Sequence, residues 1–234
     1  MDHKALIGIA AAVSFALNAQ ARIVPTFDTY QDISEVAALV SDSDLANLGQ
    51  ATFSDSTVSA NQRPEKPKEV SFIDGAASGE DFQDITWFHD SKGHLPATVT
   101  LNLDVTANTS GYDISEIASI AGWRAGEQAD QILTVEYSVV GRDGWTQLGS
   151  AAFSYTAPGS EQYSRIVLSD DAADYLATGV DALRFSYAVS GNHLLLQEID
   201  VEGVPHKVDI PESARIGMLS GLLALGSVML RRRR

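Results

Sequence analysis

Three short stretches of this 234-residue chain carry side chains suited to holding a sugar. His89 and His94 flank Gly93, Trp123 is followed by Arg124, and Asn192 by His193. An aromatic face stacks on the apolar C–H side of a pyranose, while His, Arg and Asn side chains bond its hydroxyls. Such a site requires these residues to meet on one loop end, with Arg124 and His193 the foremost candidates. Ordinary surface histidines, and a Trp123 packed under a loop, account for the same residues without a ligand.

Catalytic chemistry leaves no comparable trace. The chain has no Gly-x-Ser-x-Gly elbow, no His-Glu-x-x-His and no phosphate-cradling glycine loop. The four histidines beyond the first 21 residues are not at zinc-ligand spacing, and the absence of cysteine excludes disulfides, thiol nucleophiles and iron–sulfur clusters. A glycosidase needs only two carboxylates, but no acidic residue stands in a setting that recommends it. The expectation is a protein that is not an enzyme. Between Arg22 and Ile210 there are 10 basic and 29 acidic residues, a net charge of −19. A body this acidic repels phosphate backbones, which argues against nucleic acid as a partner. Solvated acidic faces are the first explanation, and carboxylates gathering Ca²⁺ the second.

The elements that must position these residues are strands. Ala97, Val99, Leu101, Leu103 and Val105 alternate with polar residues, as do Leu133, Val135, Tyr137 and Val139. Leu183, Phe185, Tyr187 and Val189 repeat the pattern, as do Ile199 and Val201 between Glu198, Asp200 and Glu202. Period-two alternation buries one face of a strand and wets the other. Gly141-Arg142-Asp143-Gly144 supplies a turn, and Asn61 to Glu69 a proline-broken loop. Helix signals are confined to a turn over Ser43–Gly49 and a short helix over Ser169–Gly179 with a serine cap and a glycine exit. Many strands and almost no helix predict an all-β antiparallel β-sandwich.

The order of the pieces from Asp44 to Gly203 resembles the discoidin (coagulation-factor type C) domains among the galactose-binding-like jelly rolls. The resemblance rests on Asp44–Ser54, on Ile73-Asp74-Gly75 with Thr86-Trp87, and on Val99–Leu103. It continues through Val135-Glu136-Tyr137-Ser138 with Gly144-Trp145, Leu183-Arg184-Phe185 and Gln197–Gly203. Calcium-bearing members of that family use a carboxylate of the Asp-Gly loop, a Thr or Ser hydroxyl and a Glu of the last strand. Matched by position, the resemblance implies Asp74, Thr86 and Glu198 as ligands of a structural Ca²⁺, and places Trp87 and Trp145 in the core.

The two ends read as targeting segments. Lys4, the apolar run Ala5–Leu17 and Ala19-Gln20-Ala21 form the charged region, hydrophobic helix and small-x-small cleavage site of a secretory signal over residues 1–21. At the other end Ile216–Leu230 is uncharged, and Arg231, Arg232, Arg233 and Arg234 follow it. Fifteen helical residues span about 22 Å, less than the roughly 30 Å of bilayer hydrocarbon. Terminal arginines hold the C-terminus in the cytoplasm and leave the body outside. With Pro211-Glu212-Ser213 ahead of it, this tail is similar to PEP-CTERM sorting signals, although that family usually has proline where Ser213 stands. The resemblance implies an exosortase-type membrane protease as processing partner and passage through the inner membrane. The expected organisation is a signal at 1–21, an N-terminal segment at 22–43, a β-sandwich at 44–204, and a linker with sorting tail at 205–234. The expected function is a non-catalytic exported protein of the cell surface that binds carbohydrate, such as extracellular polysaccharide, through its loops. The competing expectation is a structural or adhesive envelope protein using the sandwich as a spacer.

Overall fold

Each of the alternating stretches forms a strand, the first ending at Leu103, before Val105, and Val189 lying outside the described residues. The computed structural model describes residues 23–46, 51–56, 75–77, 86–89, 96–123, 128–154, 162–188 and 193–208, the side chains of 51–56, 86–89, 162 and 193 lying outside that description. In chain order the elements are β1 (Ile23–Tyr30), α1 (Ile33–Ala37), β2 (Ala51–Ser56), β3 (Thr86–His89), β4 (Ala97–Leu103) and β5 (Tyr112–Trp123). They continue with β6 (Gln131–Val139), β7 (Thr146–Phe153), β8 (Gln162–Asp170), β9 (Ala177–Ala188) and β10 (His193–Pro205). Every pairing is antiparallel. The strands form two layers, β1–β8–β5–β10–β3 and β2–β4–β9–β6–β7. The layers join where Tyr112 pairs with Val180 and Ile114 with Ala177. The result is an antiparallel β-sandwich.

The core lies between the layers. Val99 and Leu101 of β4, Leu133 and Val135 of β6 and Phe185 and Tyr187 of β9 meet Ile117, Ile166, Leu168, Ile199 and Val201 from the other side. Burying each large apolar side chain contributes roughly 1.5–3 kcal/mol. Strand β5 stays in this core by means of a bulge. Glu116 opposes Glu202 while Ile114 opposes Gly203, so Ser115 is the extra residue. The inward set therefore changes from Ile117 and Ala121 to Ile114 and Tyr112. Gly203 sits opposite this kink, where a Cβ would lie 2.7 Å from the Asp113 carbonyl oxygen.

The N-terminal residues are part of the sandwich. Strand β1 pairs with β8 along its whole length, from Ile23 opposite Asp170 to Tyr30 opposite Tyr163. Asp32 then caps α1, its Oδ1 accepting from the Ser34 N–H at 2.8 Å and the Ser34 hydroxyl at 2.9 Å. Val36 of this single turn is fully buried against Ile120 and Tyr163, with Tyr30, Ile33, Val40 and Ala77 around it. Residues 23–43 thus supply an edge strand and cover part of the outer face of β5 and β8.

Two sequence expectations are corrected. No helix forms over Ser169–Gly179: Ser169 and Asp170 end β8, and β9 begins at Ala177. The helix-start chemistry is present, since Asp170 Oδ1 accepts from the Ala172 and Ala173 N–H groups, but six residues between paired strands allow only a turn. Gly179, read as a helix exit, lies in β9 at φ +67° and donates to Asp113 Oδ1. Trp145 is not in the core either. It is 37% exposed in the β6–β7 hairpin, where Arg184 lies 4.5 Å from its ring centroid. The turn expected over Ser43–Gly49 is described only to Ala46. The Asn61–Glu69 loop, both terminal helices and the residues of both targeting motifs lie outside the described residues. Among the described residues no helix is long and apolar enough to cross a membrane.

Candidate functional site

Three of the sugar-site candidates, His89, Trp123 and His193, stand at strand ends on one side of the sandwich. His89 closes β3 and His193 opens β10, and the two are directly paired across the strands. Beside them β5 ends at Trp123, two residues beyond the pairing of Ala121 with Leu196. Trp123 also faces Gln162, the first residue of β8. A bulge at Gln197 shapes this corner, the register shifting between Leu196 and Glu198. The Gln197 side-chain amide donates to the Gly122 carbonyl at 2.7 Å, and Gly122 adopts φ +126°, a conformation that turns the chain just before Trp123. Trp123 itself is half-buried. Arg124, Asn192 and His94 lie outside the described residues, in segments adjoining these strand ends.

A buried polar network forms the floor beneath this end. Gln131, fully buried at the start of β6, donates through Nε2 to the Ser119 carbonyl at 3.2 Å and the Ser164 hydroxyl at 2.9 Å. Its Oε1 accepts from the Ser119 hydroxyl at 2.8 Å. Ser164 donates onward to the Ala129 carbonyl at 2.6 Å, and Ser119 shares a bond with the Tyr187 hydroxyl at 3.1 Å. Burial raises the Tyr187 pKa, which keeps the phenol protonated in this network. The network ties β5, β6, β8 and β9 together near the end of β5.

A second assembly sits midway along β10. Ile199 and Val201 face the core, so Glu198, Asp200 and Glu202 face outward. Glu198 and Asp200 are buried nonetheless, at 0% and 3% exposure. Their cover is the segment Ser41–Ala46, which runs along β10 beyond the end of β3. The Leu45 N–H donates to the Val201 carbonyl at 2.9 Å, and the Val201 N–H donates to Asp44 Oδ1 at 2.7 Å. Ser41 and Ser43 donate to the Glu202 carboxylate, Ser43 at 2.7 Å. These contacts bring Asp44, Glu198 and Asp200 together, with ligand-capable oxygens all within 4.8 Å of one another.

This cluster overlaps the implied calcium set and departs from it. Glu198 belongs to both. The Gly75 N–H donates to Glu198 Oε1 at 3.4 Å, so the Asp-Gly loop does reach this strand, while Asp74 lies outside the described residues. Thr86 opposes Leu196, two positions from Glu198 along β10. Asp44 and Asp200 are additional. Neither Asp200 oxygen accepts a hydrogen bond of ordinary geometry. Burial, then the neighbouring Asp44 charge, pushes the Asp200 pKa up to about 7, with the Ser41 N–H and Arg165 opposing only in part. Three hard carboxylates in a buried space suit a divalent cation of the Ca²⁺ class, and the donor set fits. Asp200 was legible in the period-two pattern that already marked Glu198; Asp44 was not, because only the fold brings it to β10.

No family model matches the chain, and no curated protein does. Among solved structures, a family 32 carbohydrate-binding module from a family 31 glycoside hydrolase of Clostridium perfringens is similar at 14% identity. That match covers 71% of this chain and 98% of the other, with a TM-score of 0.40. The family 32 module of Clostridium perfringens NanJ, in complex with galactose, is 14% identical over 67% of this chain and 96% of that one, again at 0.40. An F5/8 type C domain from Bacteroides fragilis is 11% identical over 68% and 99%, at 0.37. Superpositions this loose carry no argument about ligand or residue roles.

Proposed function

We propose that this chain is an exported, non-catalytic protein of the cell surface or extracellular matrix whose sandwich binds carbohydrate at the end formed by His89, Trp123, Arg124, Asn192 and His193. The observation that carries the reading is the strand register. Residues nominated from three separate stretches for their sugar chemistry converge, His89 pairing with His193 and Trp123 ending the adjacent strand. The indole offers a stacking surface, and the network around Gln131 holds its surroundings in place, which lowers the ordering cost of binding. The discoidin-like order of motifs supports the same assignment.

Export rests on the sequence at the two ends: Lys4 with Ala19 and Ala21 at the first, Pro211-Glu212-Ser213 and Arg231–Arg234 at the second. An exosortase-type protease removes the tail in this reading. Intact-mass measurement of the exported protein tests it; retention of residues 213–234 contradicts processing. For the ligand, a glycan array that includes the producing cell's own polysaccharide is the direct assay. Binding is expected, and Trp123→Ala is expected to abolish it while leaving the β-sheet circular dichroism unchanged. A blank array favours the structural spacer.

A further inference from the structure

We infer that the outward face of the β4–β9–β6–β7 layer, from Trp145 to Ile132, is a platform for a neutral polysaccharide chain. This face goes beyond the loop-end site, with which it shares no residue.

Strand register builds the face. Val99 and Leu101, Leu133 and Val135, and Phe185 and Tyr187 turn into the core, so the alternate residues of β4, β6 and β9 turn outward. Arg184 opposes Glu136, Ser186 opposes Thr134, and Ala188 opposes Ile132. Three outward rungs, one ionic, one hydroxylic and one apolar, thus cross the β9–β6 pair about 7 Å apart. Strands β4 and β7 flank them with Thr98, Thr100, Gln147 and Ser150. Trp145 stands at the ionic end, with Arg184 4.5 Å from its ring centroid. Trp145 and Ile132 are each 37% exposed, an uncommon state for such large apolar groups. Arg184 donates to Glu136 Oε2 through Nε at 2.8 Å and Nη2 at 2.7 Å, which fixes both side chains while leaving them 31% and 26% exposed. A ligand laid on the sheet therefore meets polar groups already held in place.

Charge narrows the occupant. The outer face of the other layer carries Asp28, Glu116, Glu198, Asp200 and Glu202 against Arg165. Among the described residues of the Trp145 face, the three rungs and their flanks hold one cation and one anion, committed to each other. An anionic polymer approaching a body this acidic is repelled, and a neutral one is not. The apolar pattern narrows it further. Protein interfaces place apolar groups at the centre and polar ones at the rim. Here Trp145 and Ile132 stand at the two ends, with the Ser186–Thr134 rung between them. A sugar chain suits that order: its C–H faces cover the indole and the aliphatic side chain, and its hydroxyls reach the hydroxyl rung and the ion pair.

The test is native electrophoresis of the full-length protein through gels cast with mixed-linkage β-glucan, galactomannan or dextran, with alginate as the acidic counterpart. At least one neutral polymer is expected to retard the wild type, and alginate is not. Trp145→Ala should weaken that retardation at least tenfold in apparent Kd, the scale of losing an aromatic anchor. Thr134→Lys, which lays a long side chain across the middle rung, should weaken it as much and serves as the second variant. Trp123→Ala separates the two sites and is expected to leave retardation by the polymer in place. Retardation lost with Trp123→Ala but untouched by Trp145→Ala and Thr134→Lys overturns the platform and leaves the loop end standing. The platform is equally overturned if no neutral polymer retards the wild type, or if alginate alone does. Self-association in sedimentation that Trp145→Ala dissolves gives the face to a second copy of the chain, and overturns it too.

Discussion

Replacing Gln131 by Met removes a buried amide without changing side-chain length, and its cost follows from the bonds it makes. The amide takes part in three hydrogen bonds, to the Ser119 hydroxyl, the Ser119 carbonyl and the Ser164 hydroxyl. At about 1 kcal/mol net for each, the variant loses about 3 kcal/mol. For a domain of this size that lowers Tm by about 6–12 °C. The partners are not wholly abandoned: Ser119 keeps Tyr187, and Ser164 keeps the Ala129 carbonyl. The loss therefore stays well short of the penalty for three orphaned groups. Urea denaturation of the wild type, Gln131→Met, Ser119→Ala, Ser164→Ala and the triple variant measures it. Each serine hydroxyl shares one bond with Gln131, so the triple variant should fall about 2 kcal/mol short of the summed single losses. A Gln131→Met loss under about 1 kcal/mol, or strict additivity, refutes the network as the floor of the loop end.

Three further outcomes are expected. In calcium-free buffer Asp200 has its folded pKa raised to about 7, so the native state holds a proton that the unfolded chain releases. The stability advantage of that protonated group is complete below about pH 4 and is lost as pH rises to about 7, by at most about 4 kcal/mol. Urea midpoints of wild type against Asp200→Asn, from about pH 5 to about pH 8 in EDTA, should show the wild type falling relative to the variant. Gly111→Ala places a Cβ 2.6 Å from backbone atoms of Gly179 and Val180 at φ +81° and should cost about 3 kcal/mol or more, whereas Gly144→Ala, at φ +95° in open space, should cost about 1 kcal/mol; thermal melts compare them. Trp145→Ala removes the stack on Arg184, whose guanidinium also pairs with Glu136 at 2.7 Å, and should cost about 1 kcal/mol by urea denaturation.

The strands that bury one face were legible because alternation records that burial residue by residue: β4, β6, β9 and the end of β10 all fall where Val99, Val135, Phe185 and Ile199 place them. The Ser169–Gly179 helix failed for a reason that local chemistry cannot express. Cap-type bonds form, but at Asp170 and not at the expected serine: Ser169 opposes Val24, and that long-range pairing claims the residue for β8. The family resemblance alone places Trp145 inside; the stack on Arg184 lets it remain half in water. At the candidate sites, the sequence supplied the residue types for the loop end and Glu198 on β10. It did not supply Asp44, whose contact with Val201 joins residues on either side of nearly the whole sandwich.

Strand β10 has a temporal consequence. It is the last strand among the described residues, yet it borders β5, β3 and the Asp44–Leu45 stretch, so three portions of the molecule wait for it. Strand β1 likewise waits for β8. A polypeptide emerging amino end first from a narrow conduit has few stable partners within its early portion, and pairings this distant form slowly. Stable collapse of the early strands is thereby delayed until β8 and β10 have been made.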